Sequence, residues 1–215
     1  MSNQSATAGK VAVADAVRFV RAGTSYGDKY QGMWIYSWGV GFRSEAETDT
    51  MLALARDQNM NILFPEVRKA GDAYYISAIE PRADNIDPDY ADPLADLIAK
   101  AHDTSNGKQY IEVHAWIVPY RVWVSGGLPE GHVLTEHPDW VTQLYDGSNT
   151  NQYLDAGHPG VTDYLVDVVT EIVRNYDVDG VHFDYFRYAG DTYGYNPTAL
   201  ARFQRLYNRS DRPAP

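Results

Sequence analysis

An α/β fold with a parallel sheet is predicted by three features of this 215-residue sequence. Short apolar runs alternate with segments of helical periodicity, and parallel strands need such helical crossovers. The runs are rich in Val and Ile, as expected for strands that are covered on both faces. Both long loops follow strands rather than helices, at the end of the sheet where active sites of parallel sheets lie.

The first two β/α units carry clear helix-start signals. Strand one is predicted over residues 31–37, and its helix begins at Ser44, where a capping box pairs Ser44 with Glu47. Strand two is predicted over residues 61–67, followed by an irregular stretch that is rich in Pro, Asp and Tyr. Asp92 then caps the second helix, whose first position is proline.

The third unit contains the most regular helix of the sequence. Strand three is predicted over residues 109–118, and a loop punctuated by glycine and proline fills residues 119–158. Apolar residues then recur at helical spacing over residues 161–175.

The fourth unit consists of a strand over residues 180–186 and a helix that begins after Asn196. Residues 1–28 are predicted to be a leader with a short helix, and residues 29–215 to form the β/α domain. The last helix is predicted to bury Leu200, Phe203 and Leu206.

Composition excludes several classes of protein. Eighteen Lys and Arg against 29 Asp and Glu give a net charge of −11, which disfavours nucleic acid and anionic membranes as partners. The absence of cysteine excludes disulfides, cysteine-bound metals and thiol catalysis. No apolar run reaches the ~18 residues of a membrane span, and the N-terminus lacks a signal-peptide pattern. The 17 Tyr and 5 Trp fit either ordinary packing or contact with sugar rings.

Ionisable and aromatic side chains fall at the carboxyl end of each predicted strand. In strand four, alternation places His182 and Asp184 on one face, at the top of the sheet. A structural role is the alternative reading: Asp184 would form an ion pair with Arg187 or Arg68, since buried charges must be paired.

Several segments together resemble the bacterial glycosyl-hydrolase-like family 10. They cover nearly the whole chain from about residue 31 and occur in the family's order. They are PEVR (65–68), GDAYYIS (71–77), VHAW (113–116), RVW (121–123), YLDAGHPG (153–160) and VDGVHFDYFRY (178–188). The resemblance implies a (β/α)₈ (TIM-barrel) hydrolase acting on glycans, including bacterial cell-wall or extracellular polysaccharide. It also suggests a secreted or periplasmic location.

Carried over to this sequence, the resemblance implies that Asp184 is a catalytic carboxylate, acting as nucleophile or as a stabiliser of the transition state. Glu66 is the best candidate in this chain for the second carboxyl group that glycoside hydrolysis uses. Arg68 or Arg187 would keep Asp184 ionised. The predicted substrate-binding residues are Trp34, Arg68, Tyr75, His114, Trp116, Tyr120, Arg121, Asp155, His182, Arg187 and Tyr188.

The length of the chain predicts an incomplete barrel. A TIM barrel usually needs about 250 residues and eight strands, whereas this sequence contains four β/α units. We therefore interpret it as the N-terminal half of a barrel, with a general acid expected on a later strand. The edges of strands one and four would be unpaired and could lead to self-association.

Two other functions are compatible with the sequence. His114, His182 and Asp184 could bind a metal ion in a metal-dependent hydrolase. Alternatively, a half barrel without the second carboxylate could bind glycans without catalysis. The preferred function needs no cofactor, and the sequence leaves the sugar, the linkage and the stereochemical outcome open.

Overall fold

The computed structural model describes residues 18–20 and 30–215 of the chain. The predicted leader over residues 1–28 lies outside the described residues, apart from one short strand. The strands are β1 (Arg18–Val20), β2 (Gly32–Ile35), β3 (Ile62–Arg68), β4 (Glu112–Ile117), β5 (Val141–Gln143), β6 (Asn149–Leu154) and β7 (Gly180–Phe183). The α-helices are α1 (Glu45–Asp57), α2 (Pro93–His102), α3 (Val133–Glu136), α4 (Pro159–Asn175) and α5 (Pro197–Tyr207).

The main sheet has the strand order β1-β7-β4-β3-β2. The four strands β2, β3, β4 and β7 are parallel, which confirms the predicted β/α alternation. β1 pairs antiparallel with β7. The sheet is open in the described part of the chain, so the α/β fold is consistent with a TIM-like fold but does not form a closed barrel there.

The two faces of this sheet differ because strand residues alternate in direction. One face packs on α1, α2 and α4 through Leu63, Val113, Ala115 and Val181, which form the core together with helix residues such as Leu97. The opposite face, called here the open face, carries the aromatic and ionisable side chains. It includes Trp34, Phe64, Glu66, Trp116 and His182.

The helix-start signals are confirmed. The Ser44 side chain accepts the N–H of Glu47 at 3.2 Å, and Asp92 accepts the N–H of Ala95 at 3.1 Å. Asn196 caps α5 in the same way. The carboxylate of Glu47 departs from an ideal capping box, because it accepts the N–H of Arg43 rather than that of Ser44.

The prediction that residues 119–158 form a loop is wrong in part. They contain α3 and the antiparallel pair β5–β6, which surround a second apolar cluster that includes Val122 and Leu154. β6 reads Asn-Thr-Asn-Gln-Tyr-Leu, so it lacks the apolar alternation by which a strand is recognised.

The predicted apolar face of α5 is also wrong in part. Leu206 is 63% exposed and Leu200 and Phe203 are only half-buried, whereas Ala199 is the buried residue of this helix. The reason is that α5 packs on the loop at Gly157, where Ala199 lies against the backbone, rather than on the main sheet.

The strand edges differ from the prediction. β7 was expected to have a free edge, but it is paired on both sides, by β4 and β1. Among the described residues β2 pairs only with β3, so self-association through β2 stays a prediction. In residues 18–20 and 30–215, no α-helix combines the length and the apolar composition that a membrane span requires.

Candidate active site

Asp184 directly follows β7 at the carboxyl end of the parallel strands. Its backbone N–H donates to the carbonyl of Ile117 at 3.0 Å, which extends the β4–β7 pairing by one residue. Its side chain is half-buried, and Oδ1 accepts the N–H of Tyr185 at 2.7 Å. Tyr185 has a φ of +51°, an unusual conformation for a bulky residue. The chain therefore turns sharply after Asp184, and such backbone strain often accompanies functional sites.

His182 lies on the open face beside Asp184. The indole N–H of Trp34 donates to Nε2 of His182 at 3.3 Å. An indole can only donate, so Nε2 is the acceptor and Nδ1 carries the proton of the neutral ring. Burial lowers the pKa of His182, and His114 lowers it further, although the Asp184 carboxylate has the opposite effect. We therefore expect a neutral imidazole at pH 7.

Three further rings surround His182. Trp34 stacks on Phe64 with the centroids 4.7 Å apart, and Phe64 lies 5.1 Å from His182. Trp116 approaches the imidazole edge-on at 6.5 Å. Trp34 is 56% exposed, so one of its faces is open to a ligand. We call Trp34, Phe64, Trp116 and His182 the platform.

Glu66 lies next to Trp116 in the sheet but is buried. Its Oε2 accepts two hydrogen bonds from Ser37, one from the backbone N–H at 3.1 Å and one from the hydroxyl at 2.8 Å. Burial and the Asp72 carboxylate raise the pKa of Glu66, and together they outweigh the lowering by Ser37 and Lys69. The carboxyl group therefore holds its proton to a higher pH than usual, as a general acid must. Contact with a sugar would require Ser37 to move.

Arg68 does not contribute to the site as predicted, because it is fully buried. The β3–β4 register shifts between Glu66 and Arg68, and this irregularity turns Arg68 towards α4. Its guanidinium forms an ion pair with Glu80 at 2.8 Å and donates to the carbonyl of Pro119 at 3.0 Å. The hydroxyl of Tyr164 on α4 donates to the same Glu80 carboxylate. The sugar-contact prediction for Arg68 is therefore wrong, because strict strand alternation fails at the irregularity.

Three other predicted contact residues have structural roles. Tyr75 is buried in the core on the helix side, against Tyr176 at 5.6 Å. Asp155 is fully buried and accepts hydrogen bonds from Thr142, Gly157, Tyr188 and Asn196. Tyr188 reaches away from Asp184 to donate to Asp155 at 3.0 Å. These interactions join the β5–β6 hairpin to α5 and do not face the platform.

His114 lies beneath the platform rather than on it. It has no exposed surface, its Nε2 lies 2.7 Å from a Glu112 carboxylate oxygen, and its ring contacts Phe64 at 5.4 Å. It therefore supports the platform from below, and the prediction that it contacts sugar is wrong for this structure.

The rim of the site is formed by the loops after β4 and β7. Arg121 and Arg187 lie 5.3 Å and 4.7 Å from the ring centroid of Tyr185. Tyr120 is half-buried against Phe186 at 5.3 Å.

Among the described residues no ion pair joins Asp184 to Arg68 or Arg187, so the alternative structural role of Asp184 is not supported.

The metal-site alternative is not supported either. Within residues 18–20 and 30–215, no group of three or more His, Asp or Glu side chains is arranged to hold a metal ion. His114, His182 and Asp184 are therefore not arranged as that alternative requires. The residues that sequence analysis missed are Phe64, which looks like an ordinary core residue, and Ser37, whose bond to Glu66 depends on tertiary structure.

The fold and the site together define a class of protein: a β/α-sheet protein with a carboxylate and an aromatic surface at the ends of its parallel strands, where enzymes of this architecture bind substrate. Residues 29–214 match the profile of one such family. The chain belongs to the glycosyl hydrolase-like 10 family, which confirms the resemblance seen in its sequence motifs.

Curated relatives support this assignment. Glycosyl hydrolase YngK of Bacillus subtilis is 34% identical over 139 residues, which are 60% of this chain and 25% of the relative. Glycosyl hydrolase DigH of Escherichia coli is 34% identical over 147 residues, which are 60% of this chain and 31% of the relative. The chain thus spans less than a third of the length of these relatives.

A solved structure supports the fold. A hypothetical protein from Ruminiclostridium thermocellum ATCC 27405 superposes with a TM-score of 0.55 at 16% identity, over 86% of this chain and 93% of that chain. At this level of identity the likeness concerns the fold alone.

Proposed function

We propose that this chain forms part of a glycoside hydrolase in which Asp184 acts as the nucleophile or stabilises the oxocarbenium-like transition state. The observation that carries the proposal is the position of Asp184, which is half-buried at the end of β7 and close to His182, whose neutral imidazole accepts a hydrogen bond from the exposed indole of Trp34. Membership of the glycosyl hydrolase-like 10 family and the names of the relatives support a function on glycans.

The platform would hold the sugar next to Asp184. The open face of Trp34 offers a flat apolar surface that matches the C–H face of a pyranose ring. The Nδ1–H of His182 could donate to a sugar hydroxyl, since its Nε2 is occupied by Trp34. Asp184 is only half-buried, and its carboxylate would face the anomeric carbon.

The experiment that tests this function is oligosaccharide binding by the Trp34→Ala variant. We expect its affinity for N-acetylglucosamine disaccharide to fall about tenfold, because the stacking surface is lost. Intrinsic tryptophan fluorescence, checked by calorimetry, provides the measurement. Tyr207→Ala, which removes another exposed aromatic residue, on α5, serves as the control and should bind normally. Equal affinities of Trp34→Ala and the unmodified chain would argue against a sugar site on the platform.

We further propose Glu66 as a candidate general acid, on the basis of its raised pKa and its position on the open face beside Trp116. An acid must be protonated, so activity should fall as the pH rises through the raised pKa of Glu66. Glu66→Gln should lower kcat on glycans by about 10²–10⁴-fold and abolish this alkaline decline.

A substrate with a good leaving group distinguishes loss of the general acid from damage to the fold in the Glu66→Gln variant. Glu66→Gln should regain much of its rate on a nitrophenyl glycoside, whose leaving group needs no proton. Both bonds from Ser37 go to a single oxygen, and the glutamine carbonyl can accept them, so the fold should be retained. If Glu66→Gln changed neither the rate of the full-length protein nor the pH dependence of that rate, the general acid would be another residue.

A further inference from the structure

A second cleft of about 310 Å³, which no platform residue lines, opens between the segments that follow β3 and β4. Part of its wall consists of two tryptophans, one contributed after β2 and the other after β4. Two cationic and two anionic side chains also line the cleft. These six residues are Trp38, Trp123, Lys69, Arg82, Asp72 and Asp84.

Trp38 is held in place by a buried ion pair. The ammonium group of Lys69 lies 5.1 Å from the Trp38 ring centroid and 4.5 Å from that of Tyr74. Lys69 pairs with Asp72, which also accepts the N–H of Ala70 at 2.9 Å. Both charged residues are buried, while Trp38 remains 36% exposed. The indole is therefore fixed on one side and open on another.

Trp123 lies on the opposite wall of the cleft from Trp38, and His132 holds its ring in place. Its ring packs edge-on against His132 at 5.4 Å, and His132 has no exposed surface. Nε2 of His132 lies 2.9 Å from the carbonyl oxygens of both Ala70 and Val122, so it joins the two segments that form the cleft. The cleft is thus preorganised, which reduces the entropy cost of binding a ligand.

We propose that this cleft binds a neutral pyranose unit of the same glycan whose scissile bond lies at Asp184. Two fixed indoles offer apolar surfaces to a sugar ring, and the exposed carboxylate of Asp84 can accept hydrogen bonds from its hydroxyls. The formal charges of Lys69, Arg82, Asp72 and Asp84 cancel, so the cleft favours a neutral unit over a charged one. This inference rests on the proposed function and extends it to the length of the substrate.

Strand geometry sets the spacing of the two sites. Lys69 follows β3 and Asp184 follows β7, and β4 lies between these strands. Neighbouring strands lie about 4.8 Å apart, so the two strand ends are about 10 Å apart. A single sugar cannot fill both sites, whereas one oligosaccharide can. The glycan that fills both sites must therefore contain more than one sugar unit.

The test compares the affinities of N-acetylglucosamine disaccharide and hexasaccharide for the whole chain. We expect the hexasaccharide to bind about tenfold more tightly because it reaches the second cleft. Trp123→Ala and Trp38→Ala should each reduce this ratio towards one and leave disaccharide affinity unchanged. Trp123→Phe should keep most of the ratio, and Tyr207→Ala all of it. Thermal melting of each variant verifies that it is folded.

The possible outcomes separate the two proposals. If Trp38→Ala and Trp123→Ala both retained the ratio of hexasaccharide affinity to disaccharide affinity, the proposal of a second site would be overturned. Disaccharide binding that depends on Trp34, without any gain for the hexasaccharide, would overturn the second site and leave the proposed function standing. Failure of both sugars to bind the unmodified chain would overturn both proposals.

Discussion

Glu80→Gln is expected to destabilise the fold by about 3–5 kcal/mol, because it leaves the Arg68 guanidinium buried without a counter-charge. Neither side chain of this ion pair has exposed surface. Glutamine has nearly the same shape as glutamate, so the loss would come from charge rather than from a cavity. The free energy of unfolding, measured by urea denaturation, provides the test.

A double variant distinguishes the net contribution of the ion pair to stability from the destabilisation that follows when only one partner is removed. Arg68→Met with Glu80→Leu should recover much of the loss, because apolar residues can replace a buried ion pair. The exposed pair of Arg209 and Asp211 provides the matched control. Asp211→Asn should leave stability unchanged, since exposed ion pairs contribute little. If Glu80→Gln were as stable as Asp211→Asn, the buried pair would not anchor the segments after β3 and β4.

Asp184→Asn is expected to lower the turnover of oligosaccharides by the full-length protein by about 10³-fold or more. The asparagine oxygen can still accept the N–H of Tyr185, so the local backbone should keep its geometry. Substrate binding should therefore persist while chemistry is lost. Steady-state kinetics, together with fluorescence titration of the same variant, measures both quantities.

The control for this variant is Asp191→Asn, which removes an exposed carboxylate from the loop after β7. Its turnover should equal that of the unmodified protein. If the Asp184→Asn variant retained its turnover, the reacting carboxylate would belong to another residue. Binding without turnover in the unmodified full-length protein would instead favour the glycan-binding alternative.

Much of the fold could be predicted because local signals and tertiary structure agree. Asp92 caps α2 and Pro93 occupies its first turn, as the sequence indicated. Alternation in strand four correctly placed His182 on the open face, and Val181 lies in the core on the opposite face. Such consistency between local and global preferences is expected of natural sequences.

The remaining features depend on contacts that local patterns do not encode. The register shift in β3 turns Arg68 to the helix side, where Glu80 comes from a loop twelve residues later. Asp155 was expected at a sugar site, but its partners belong to a hairpin whose strands are too short and polar to recognise. The Trp34–His182 bond joins residues 148 positions apart, so only the folded sheet brings them together.

The central claim is that glycan binds across the platform with the scissile bond at Asp184. A crystal structure of the Asp184→Asn protein with bound N-acetylglucosamine hexasaccharide tests it most directly. We expect one sugar ring stacked on Trp34, with an anomeric carbon facing residue 184. A hexasaccharide bound elsewhere, with the platform empty, would contradict the claim.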